Sequence, residues 1–277
     1  AGAPFLVAKA FQTRKSRVYY LSYGICHGLP PTGRQGRREG PVNIQWYPGH
    51  MTKTRRMIGE NLKFVDVVAE IIDARIPIAS RNPDIDDLVG TKPRVVVLNR
   101  ADQADPAATK LWEAHFRAQG MAVLTCDAHS GAGVKQFSPV MRGALKEQIA
   151  KWREKGQVGR PVRAMVVGIP NVGKSTFINK VAKKKSAKAS DRPGVTRGKQ
   201  WITVDQGLEL LDTPGILWPK FEDETIGLHL AFTGAVRDAI MDVETLACHL
   251  IELLAQRKPE GLTARFKIVP EAGMSGW

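Results

Sequence analysis

The second half of the chain contains a glycine-rich segment with the residue types and spacing of a phosphate-binding loop. It occupies residues 168–175, reads Gly-Ile-Pro-Asn-Val-Gly-Lys-Ser and follows the apolar stretch 164–167. In such a loop the backbone N–H groups surround phosphate oxygens, the lysine reaches the β- and γ-phosphates, and the final hydroxyl, here that of Ser175, binds Mg²⁺. We therefore expect a nucleoside triphosphate to be held by Asn171, Val172, Gly173, Lys174, Ser175 and Thr176.

Three further positions could complete the site around Mg²⁺ and the γ-phosphate. Asp212 opens the tetrapeptide Asp-Thr-Pro-Gly after the apolar stretch 208–211, where a carboxylate for Mg²⁺ is expected once a phosphate loop lies upstream. The N–H of Gly215, at the end of the same tetrapeptide, would sense the γ-phosphate. Thr196 lies between the two motifs, where a switch threonine reaches both Mg²⁺ and the γ-phosphate.

A base-reading motif, Asn-Arg-Ala-Asp, opens at Asn99 and closes at Asp102. A carboxylate such as that of Asp102 accepts hydrogen bonds from N1 and N2 of guanine, and adenine lacks these donors. The apolar stem of Arg100 can lie against the base. Beyond the next apolar stretch, the backbone amide of Ala128 would meet the guanine oxygen. The motif therefore predicts GTP rather than ATP as the nucleotide.

The order of these motifs is the reverse of the usual one, because the base-reading motif precedes the phosphate loop. The order predicts an α/β fold in the form of a circularly permuted Ras-like P-loop GTPase domain, followed by a small C-terminal helical domain. Such a permutation leaves residues 212–215 next to the C-terminal segment. That segment is therefore expected to respond to the nucleotide state.

Hydrophobic periodicity predicts the elements that carry these motifs. Short β-branched runs bounded by polar or turn residues indicate buried parallel strands, and the last two runs indicate a hairpin. The predicted strands cover residues 67–72, 95–98, 121–125, 164–167, 201–204 and 208–211. Proline after a capping residue predicts helices over 106–118, capped by Asp105, and over 139–152, capped by Ser138. A further helix is expected over 175–183, and residues 222–257 are expected to be helical.

Composition limits the class of partner. With 277 residues, 43% of them hydrophobic, the chain can bury a full α/β core and a smaller helical appendage. The formal net charge of +14 is concentrated on residues 42–219 and favours a polyanionic partner; a solvated cationic surface is the simpler alternative. The three cysteines lack metal-ligand spacing, which disfavours a zinc site. No membrane partner is expected, because no apolar run approaches the roughly 18 residues of a membrane span.

The chain resembles the bacterial ribosome biogenesis GTPase A family. The resemblance is carried by the motif order above, together with Trp-Tyr-Pro-Gly-His-Met at 46–51 and Asp-Ala-Arg-Ile-Pro at 73–77. It implies a permuted Ras-like domain followed by a helical RNA-binding domain, hydrolysis of GTP to GDP, and a role in late maturation of the large ribosomal subunit. The implied partners are GTP and GDP, the precursor of the large subunit and its rRNA. We expect the protein to be a monomer in the cytoplasm.

The residue after Gly215 is Ile216, where many GTPases carry a glutamine that orients water. An aliphatic side chain cannot hydrogen-bond water, so another residue must do so. The resemblance points to His50 as the catalytic residue that orients or polarises the attacking water. The alternative is that His50 packs beside Trp46 and Tyr47.

The resemblance also assigns a second cation. In similar GTPases an asparagine at the position of Asn171 helps to hold a potassium ion near the β- and γ-phosphates. The alternative is an asparagine that only forms a turn. The expected cofactors are therefore Mg²⁺ and K⁺.

Both ends of the sequence are expected to lie outside the GTPase domain, which we assign to residues 42–221. Residues 1–41 should be a basic, unstructured leader: a transit peptide, which would make the protein mitochondrial, an RNA-binding arm, or a segment foreign to the native protein. Residues 222–277 should be a C-terminal helical segment, a truncated RNA-binding domain, because the part after Pro219 is shorter than in the family. A rival function is a nucleotide-gated, rRNA-binding scaffold in which hydrolysis is incidental.

Overall fold

The computed structural model describes residues 50–182, 201–205, 207–215, 223–236, 242–267 and 269–270. Its strands are β1 (Val67–Asp73), β2 (Arg94–Asn99), β3 (Ala122–Thr125), β4 (Val162–Val167), β5 (Trp201–Asp205) and β6 (Leu208–Asp212). Its α-helices are α1 (His50–Leu62), α2 (Asp84–Val89), α3 (Pro106–Ala118), α4 (Phe137–Ala144), α5 (Lys146–Glu154), α6 (Lys174–Val181), α7 (Glu224–Phe232), α8 (Val243–Arg257) and α9 (Pro259–Phe266).

The strands form one sheet in the order β3-β2-β1-β4-β6-β5. Neighbouring strands are parallel except for β5 and β6, which form an antiparallel hairpin. Strand β4, which leads into residues 168–175, lies inside the sheet. Strands that precede β4 in the sequence extend the sheet on one side, and strands that follow it extend the sheet on the other. Each strand has the spatial neighbours that it has in a Ras-like sheet, but the sequence begins at a different strand of that sheet. The predicted permuted α/β fold is therefore confirmed.

All six predicted strands form, and their bounds differ from the predicted ones by two residues at most. Strand β1 is buried along its whole length, and β2 is buried in all but its first residue. A parallel strand that is covered on both faces has no solvent side, so its sequence is a nearly continuous apolar run. This is why the strands could be recognised without the structure.

Helix α3 begins and ends where it was predicted. Pro106 is its first residue, and the Asp105 carboxylate accepts a 2.8 Å hydrogen bond from the backbone N–H of Ala108. The carboxylate thereby satisfies one of the N–H groups that a helix start leaves unpaired. The predicted cap at Asp105 is confirmed.

The predicted single helix over 139–152 is wrong, because the chain forms α4 and α5 with a break at Leu145. Leu145 has φ −110° and ψ 14°, outside the helical range, and its side chain is fully buried. The predicted cap is wrong as well: α4 already begins at Phe137, and the Ser138 hydroxyl donates to Oδ2 of Asp205 at 2.5 Å. Pro139 is tolerated within the first turn, where the missing N–H has no helical partner to lose.

Two helices, α7 and α8, occupy the region 222–257 that was predicted to be helical. Helix α7 ends at Phe232, where the N–H of Gly234 donates to the carbonyl of Ala231 and that of Ala235 to the carbonyl of Leu230. Helix α8 starts after Asp242, whose carboxylate accepts from the N–H of Thr245 at 3.0 Å. Apolar periodicity continued across this region, so it did not reveal where α7 ends.

Several predictions fall outside the described residues. These include the leader at 1–41 and the far end of the helix predicted over 175–183, of which α6 forms the described part. The division into a GTPase domain and a C-terminal segment stays a prediction. Within the described ranges, none of the helices combines the length and the apolar composition of a membrane span.

Candidate nucleotide-binding site

The loops that carry the predicted motifs meet at the carboxyl edge of the sheet. The strand register sets Asp73 beside Asn99 and Val166 beside Asp212, while Val167 at the end of β4 is level with Glu70 of β1. The carboxyl ends of these four parallel strands therefore lie along one edge of the sheet, with β1 and β2 extending further than β4 and β6. In open parallel sheets, ligands bind in the crevice at this edge. The fold therefore brings the base motif and the phosphate motif together although they are far apart in the sequence.

The phosphate loop, residues 168–175, joins β4 to α6 and requires a glycine at position 173. Gly173 has a φ of 92°, and a Cβ atom there would lie 2.5 Å from Nδ2 of Asn99. The missing side chain allows the loop to pack directly on Asn99. Because α6 begins at Lys174, its first N–H groups belong to the loop, and helix N-termini of this kind bind anions.

Lys174 is buried, and its ammonium group lies at the phosphate loop. Nζ donates hydrogen bonds to the carbonyl oxygens of Gly168 at 3.1 Å and of Ile169 at 2.7 Å. Burial lowers the pKa of Lys174 to about 8, although the Asp212 carboxylate acts in the opposite direction. A cation that has lost its hydration gains from an anionic ligand. The position therefore suits the binding of phosphate.

Asp212 ends β6 beside the phosphate loop. Burial raises the pKa of its carboxyl group, and the ammonium of Lys174 opposes that shift. The chain is fixed at the next residue, because the Thr213 hydroxyl donates to the carbonyl of Val166 in β4 at 2.6 Å. The Asp212 carboxylate and the Ser175 hydroxyl are oxygen donors of the type that Mg²⁺ takes, on neighbouring parts of the site. The donor set therefore fits Mg²⁺.

Gly215 packs against the phosphate loop from the other side. A Cβ atom at this position would lie 2.7 Å from the backbone N of Pro170 and 2.9 Å from Nζ of Lys174. No larger residue fits unless the loop or Lys174 moves. The segment after β6 is thus in contact with the group expected to bind the γ-phosphate.

Asn99 joins three loops through its buried amide. Its Nδ2 donates to the carbonyl of Val172 in the phosphate loop at 2.8 Å, and its Oδ1 accepts from the N–H of Ala128 at 3.0 Å. The structure therefore gives Asn99 a scaffolding contact on each side. The N–H of Ala128, predicted to meet guanine, donates to Asn99 in this structure, and its contact with the base stays a prediction.

Arg100 and Asp102 lie on the turn that follows β2. Asp102 is exposed, so its carboxylate is accessible to a base. Arg100 has a left-handed backbone with φ 59°, and its guanidinium donates to the carbonyl of Asn171 at 2.7 Å. The head of Arg100 thus holds the phosphate loop, an interaction that the sequence did not predict.

The loop after β3 is closed by Asp127. Its carboxylate accepts hydrogen bonds from the N–H groups of His129 at 2.8 Å and of Ser130 at 2.9 Å. The pKa of Asp127 is lowered, and the main cause is the hydrogen bond from the side chain of Ser130. Lys180 of α6 donates to the carbonyl of His129 at 3.0 Å. The loop that presents Ala128 is therefore fixed both internally and against the helix of the phosphate loop.

Asp73 and Arg75 are part of this site, although the sequence analysis assigned them no role. The Asp73 carboxylate accepts from Nε and NH2 of Arg75 at 2.9 and 2.7 Å, and it lies 3.6 Å from NH1 of Arg100. The sequence feature that could have identified Asp73 as a site residue is its position at the end of an apolar run that precedes the base motif. A carboxylate at the carboxyl end of a parallel strand lies at the edge where ligands bind.

Other predicted residues are described only in part. Asn171 has a left-handed backbone with φ 60°, and its Nδ2 donates to the carbonyl of Gly234, after α7, at 3.0 Å. Thr176 lies exposed in the first turn of α6. His50 is the first residue of α1, and only its backbone is described. Thr196 and Ile216 lie outside the described residues, so their predicted roles are untested.

A phosphate loop on a permuted Ras-like sheet, with the base motif delivered by an upstream strand, defines the class: a circularly permuted P-loop GTPase. A family model described as 50S ribosome-binding GTPase matches residues 163–268. The match begins just before the phosphate loop and leaves the base motif at 99–102 upstream of it, which agrees with the permuted order.

Similar proteins specify the family. Ribosome biogenesis GTPase A of Bacillus licheniformis is 50% identical over 230 residues, which are 82% of this chain and 81% of that protein. Ribosome biogenesis GTPase A of Priestia megaterium is 51% identical over 233 residues, 83% of this chain and 81% of that protein. The crystal structure of GNP-bound YlqF from T. maritima matches with a TM-score of 0.56 and 29% identity, covering 78% of this chain and 79% of that one. The chain belongs to the ribosome biogenesis GTPase A family.

Proposed function

We propose that this GTPase is an assembly factor of the large ribosomal subunit. It binds the precursor particle in the GTP state, acts late in maturation, and leaves after hydrolysis to GDP and phosphate. The observation that carries the proposal is the family relationship, since half of the residues match proteins named for ribosome biogenesis along most of both chains. The assembled phosphate and base loops support nucleotide turnover as the basis of that function.

The geometry of the phosphate loop and the burial of Lys174 support a mechanism for the phosphate side. Lys174 and the N–H groups of residues 171–176 bind the β- and γ-phosphates, and Gly215 reports the γ-phosphate through its backbone N–H. Ser175, Asp212 and Thr196 would hold Mg²⁺, which neutralises charge between the two phosphates when it is bound. Gly215 packs so closely on Lys174 and Pro170 that a Cβ atom would not fit, and this contact would pass a change at the γ-phosphate to the segment after β6.

Base selection rests on Asp102. Its exposed carboxylate accepts from N1 and N2 of guanine, while Asn99 fixes the loops on either side through Val172 and Ala128. In this proposal Asp102 recognises the base, and Asn99 fixes the positions of the loops around it.

Hydrolysis needs a group that orients water, and the side chain of Ile216 has no polar atom to do so. His50 is our candidate for the catalytic residue. It starts α1, and α1 leads directly into β1 at the centre of the permuted sheet. We propose that the ribosomal particle brings the imidazole to the attacking water, so that hydrolysis is slow in the free protein and faster on the particle.

A potassium ion is proposed at Asn171. The amide nitrogen of Asn171 already donates to Gly234, so the atom that remains for a cation is the amide oxygen. A K⁺ ion there would add positive charge beside the β- and γ-phosphates, in addition to that of Mg²⁺.

The same asparagine supports coupling between the nucleotide and the C-terminal helices. Its hydrogen bond to Gly234 ties the phosphate loop to the end of α7, and α7 packs on α8. We propose that the C-terminal helical segment reads the nucleotide state through this contact and through the segment after β6, as in other two-state GTPase switches.

The partner is proposed to be the rRNA of the precursor particle. A net charge of +14 favours a polyanion, and Lys/Arg residues recur through 180–199, most of which lie outside the described residues. The protein would act as a monomer in the bacterial cytoplasm. A mitochondrial location is the alternative if the basic leader at 1–41 is a transit peptide.

The test measures GTP turnover and particle binding together. Turnover with and without purified large-subunit precursors should differ severalfold, and co-sedimentation should be stronger with a non-hydrolysable GTP analogue than with GDP. Binding should weaken steeply as salt is raised, because each phosphate contact releases counterions. GTP-dependent binding without any stimulation of turnover would instead support the rival function, an rRNA-binding scaffold with incidental hydrolysis. The observation that favours this rival is the apolar side chain of Ile216, which cannot orient water.

A further inference from the structure

Asp73 lies where two arginines from different parts of the chain converge. The carboxylate is buried at the end of β1, directly beside Asn99 in the register of β1 and β2. Arg75 binds it through two guanidinium hydrogen bonds and through its own backbone N–H, at 3.0 Å. Arg100 approaches from the base motif, with its NH1 at 3.6 Å.

The backbone around Asp73 is also fixed. Its N–H donates to Oγ of Ser80 at 2.9 Å, and the N–H of Ala74 donates to the carbonyl of Asn99 at 2.8 Å. The carboxylate therefore has one position relative to the base motif. A buried carboxylate that is held in this way can fix the position of a cation beside it.

Arg100 connects this carboxylate to the phosphate loop. One of its terminal nitrogens faces Asp73, and the other donates to the carbonyl of Asn171 at 2.7 Å. The planar guanidinium presents these donors in a fixed geometry. An arginine that is anchored on one side can hold the loop carbonyl on the other without a further loss of side-chain entropy.

We propose that Asp73, oriented by Arg75, is a positioning residue for nucleotide binding: it anchors Arg100, and Arg100 in turn holds the phosphate loop beside the base motif. This role concerns nucleotide affinity and does not depend on the ribosomal partner. An arginine suits this role, because a guanidinium can contact a carboxylate and a carbonyl through separate nitrogens of one rigid group.

A second buried carboxylate on the same strand provides the control. Glu70 of β1 accepts from Arg81 at 3.1 Å and lies 3.4 Å from Arg94, so it is also bracketed by two arginines. The ion pairs that Arg81 and Arg94 form with other described residues are with Asp86 of α2, and not with the nucleotide loops. Glu70→Gln therefore removes a comparable buried charge away from the site.

The experiment measures the dissociation rate of a fluorescent GDP from the full chain. Asp73→Asn and Arg100→Ala should each speed dissociation about tenfold, as expected for the loss of one charge-assisted contact. The double variant should be no faster than Arg100→Ala alone, because both changes break the same link. Glu70→Gln should keep the parental rate, even if its melting temperature falls.

Two outcomes would overturn the proposal. One is an Asp73→Asn variant that melts earlier but releases GDP at the parental rate, which would make Asp73 a purely structural residue. The other is a double variant whose effects multiply to about a hundredfold, which would make the two residues independent. If Asp73→Asn does not fold, Arg75→Ala tests the same link. A quarter of the Arg75 side chain is exposed, so this substitution should be tolerated. Arg75→Ala should speed GDP release severalfold in the parent and leave the rate unchanged in the Arg100→Ala background.

Discussion

Replacing Asn99 by alanine should separate the scaffolding of the site from the recognition of the nucleotide. The amide makes one hydrogen bond to the phosphate loop, at Val172, and one to the loop after β3, at Ala128. The alanine variant leaves a buried carbonyl and a buried N–H without partners. Each such group costs about 1–3 kcal/mol. We therefore expect the free energy of unfolding to fall by about 2–6 kcal/mol, less if water enters the gap.

Nucleotide affinity should fall in the same variant, because the phosphate loop is no longer held in a fixed position relative to the base motif. We expect GDP to bind about 10- to 100-fold more weakly, where each tenfold corresponds to about 1.4 kcal/mol. Chemical denaturation gives the first quantity and titration with a fluorescent GDP gives the second. Measuring both on one preparation shows whether the two losses arise together.

Asn61 provides a matched control. It is a buried asparagine of α1 whose Oδ1 accepts no hydrogen bond from the part of the chain that the structure describes. Asn61→Ala should therefore cost less stability than Asn99→Ala and leave GDP affinity unchanged. The reasoning is refuted if Asn99→Ala binds GDP as tightly as the parent, or if both substitutions weaken GDP binding equally.

Further predictions address the base, the cations and the chemistry. Asp102→Asn should weaken GTP binding by roughly 2–4 kcal/mol and favour xanthosine nucleotides, since an amide donates where the carboxylate accepted; unchanged GTP affinity in a titration would remove Asp102 from the base site. Exchanging sodium for potassium should raise GTP turnover, and Asn171→Ala should abolish that difference; equal initial rates of the parent in both salts would exclude the potassium site. Because burial lowers the pKa of Lys174 to about 8, the free protein loses this proton as pH rises through that value, and nucleotide binding must then restore it. GDP affinity should accordingly decline above pH 8, by up to about tenfold per pH unit, and a flat titration between pH 7 and 10 would contradict a phosphate contact at Lys174. His50→Ala should lower single-turnover hydrolysis on the precursor particle roughly 10²-fold with little change in GTP affinity; a mutant as fast as the parent, with normal melting, would eliminate His50 as the catalytic residue.

The strands and the permutation were predictable from local features of the sequence. A strand buried on both faces must be apolar along its length, as β1 and β2 are, so the runs mark the sheet directly. The order of the base and phosphate motifs is a property of the chain itself, and it already required a permuted fold. Helix α3 was predictable for the same reason, since its cap is local: the Asp105 carboxylate accepts from the N–H of Ala108, only three residues away.

Contacts between distant residues could not be predicted in this way. The break at Leu145 depends on which residues the core must bury, and a helical period continues through it unchanged. The pairing of Asn171 with Gly234 joins residues 63 positions apart, and that of Asn99 with Val172 joins residues 73 apart. Neither residue type nor spacing specifies such a partner.

The sequence alone thus determined the class of chemistry, because phosphate and guanine recognition need particular residue types in short, fixed spacings. Tertiary structure decided how these groups support one another. Asp73 becomes a partner of Arg100 only because β1 and β2 are adjacent and parallel and end at the same level. Strand order and register are set by the burial of the whole sheet, and they alone determine which carboxylate faces which guanidinium.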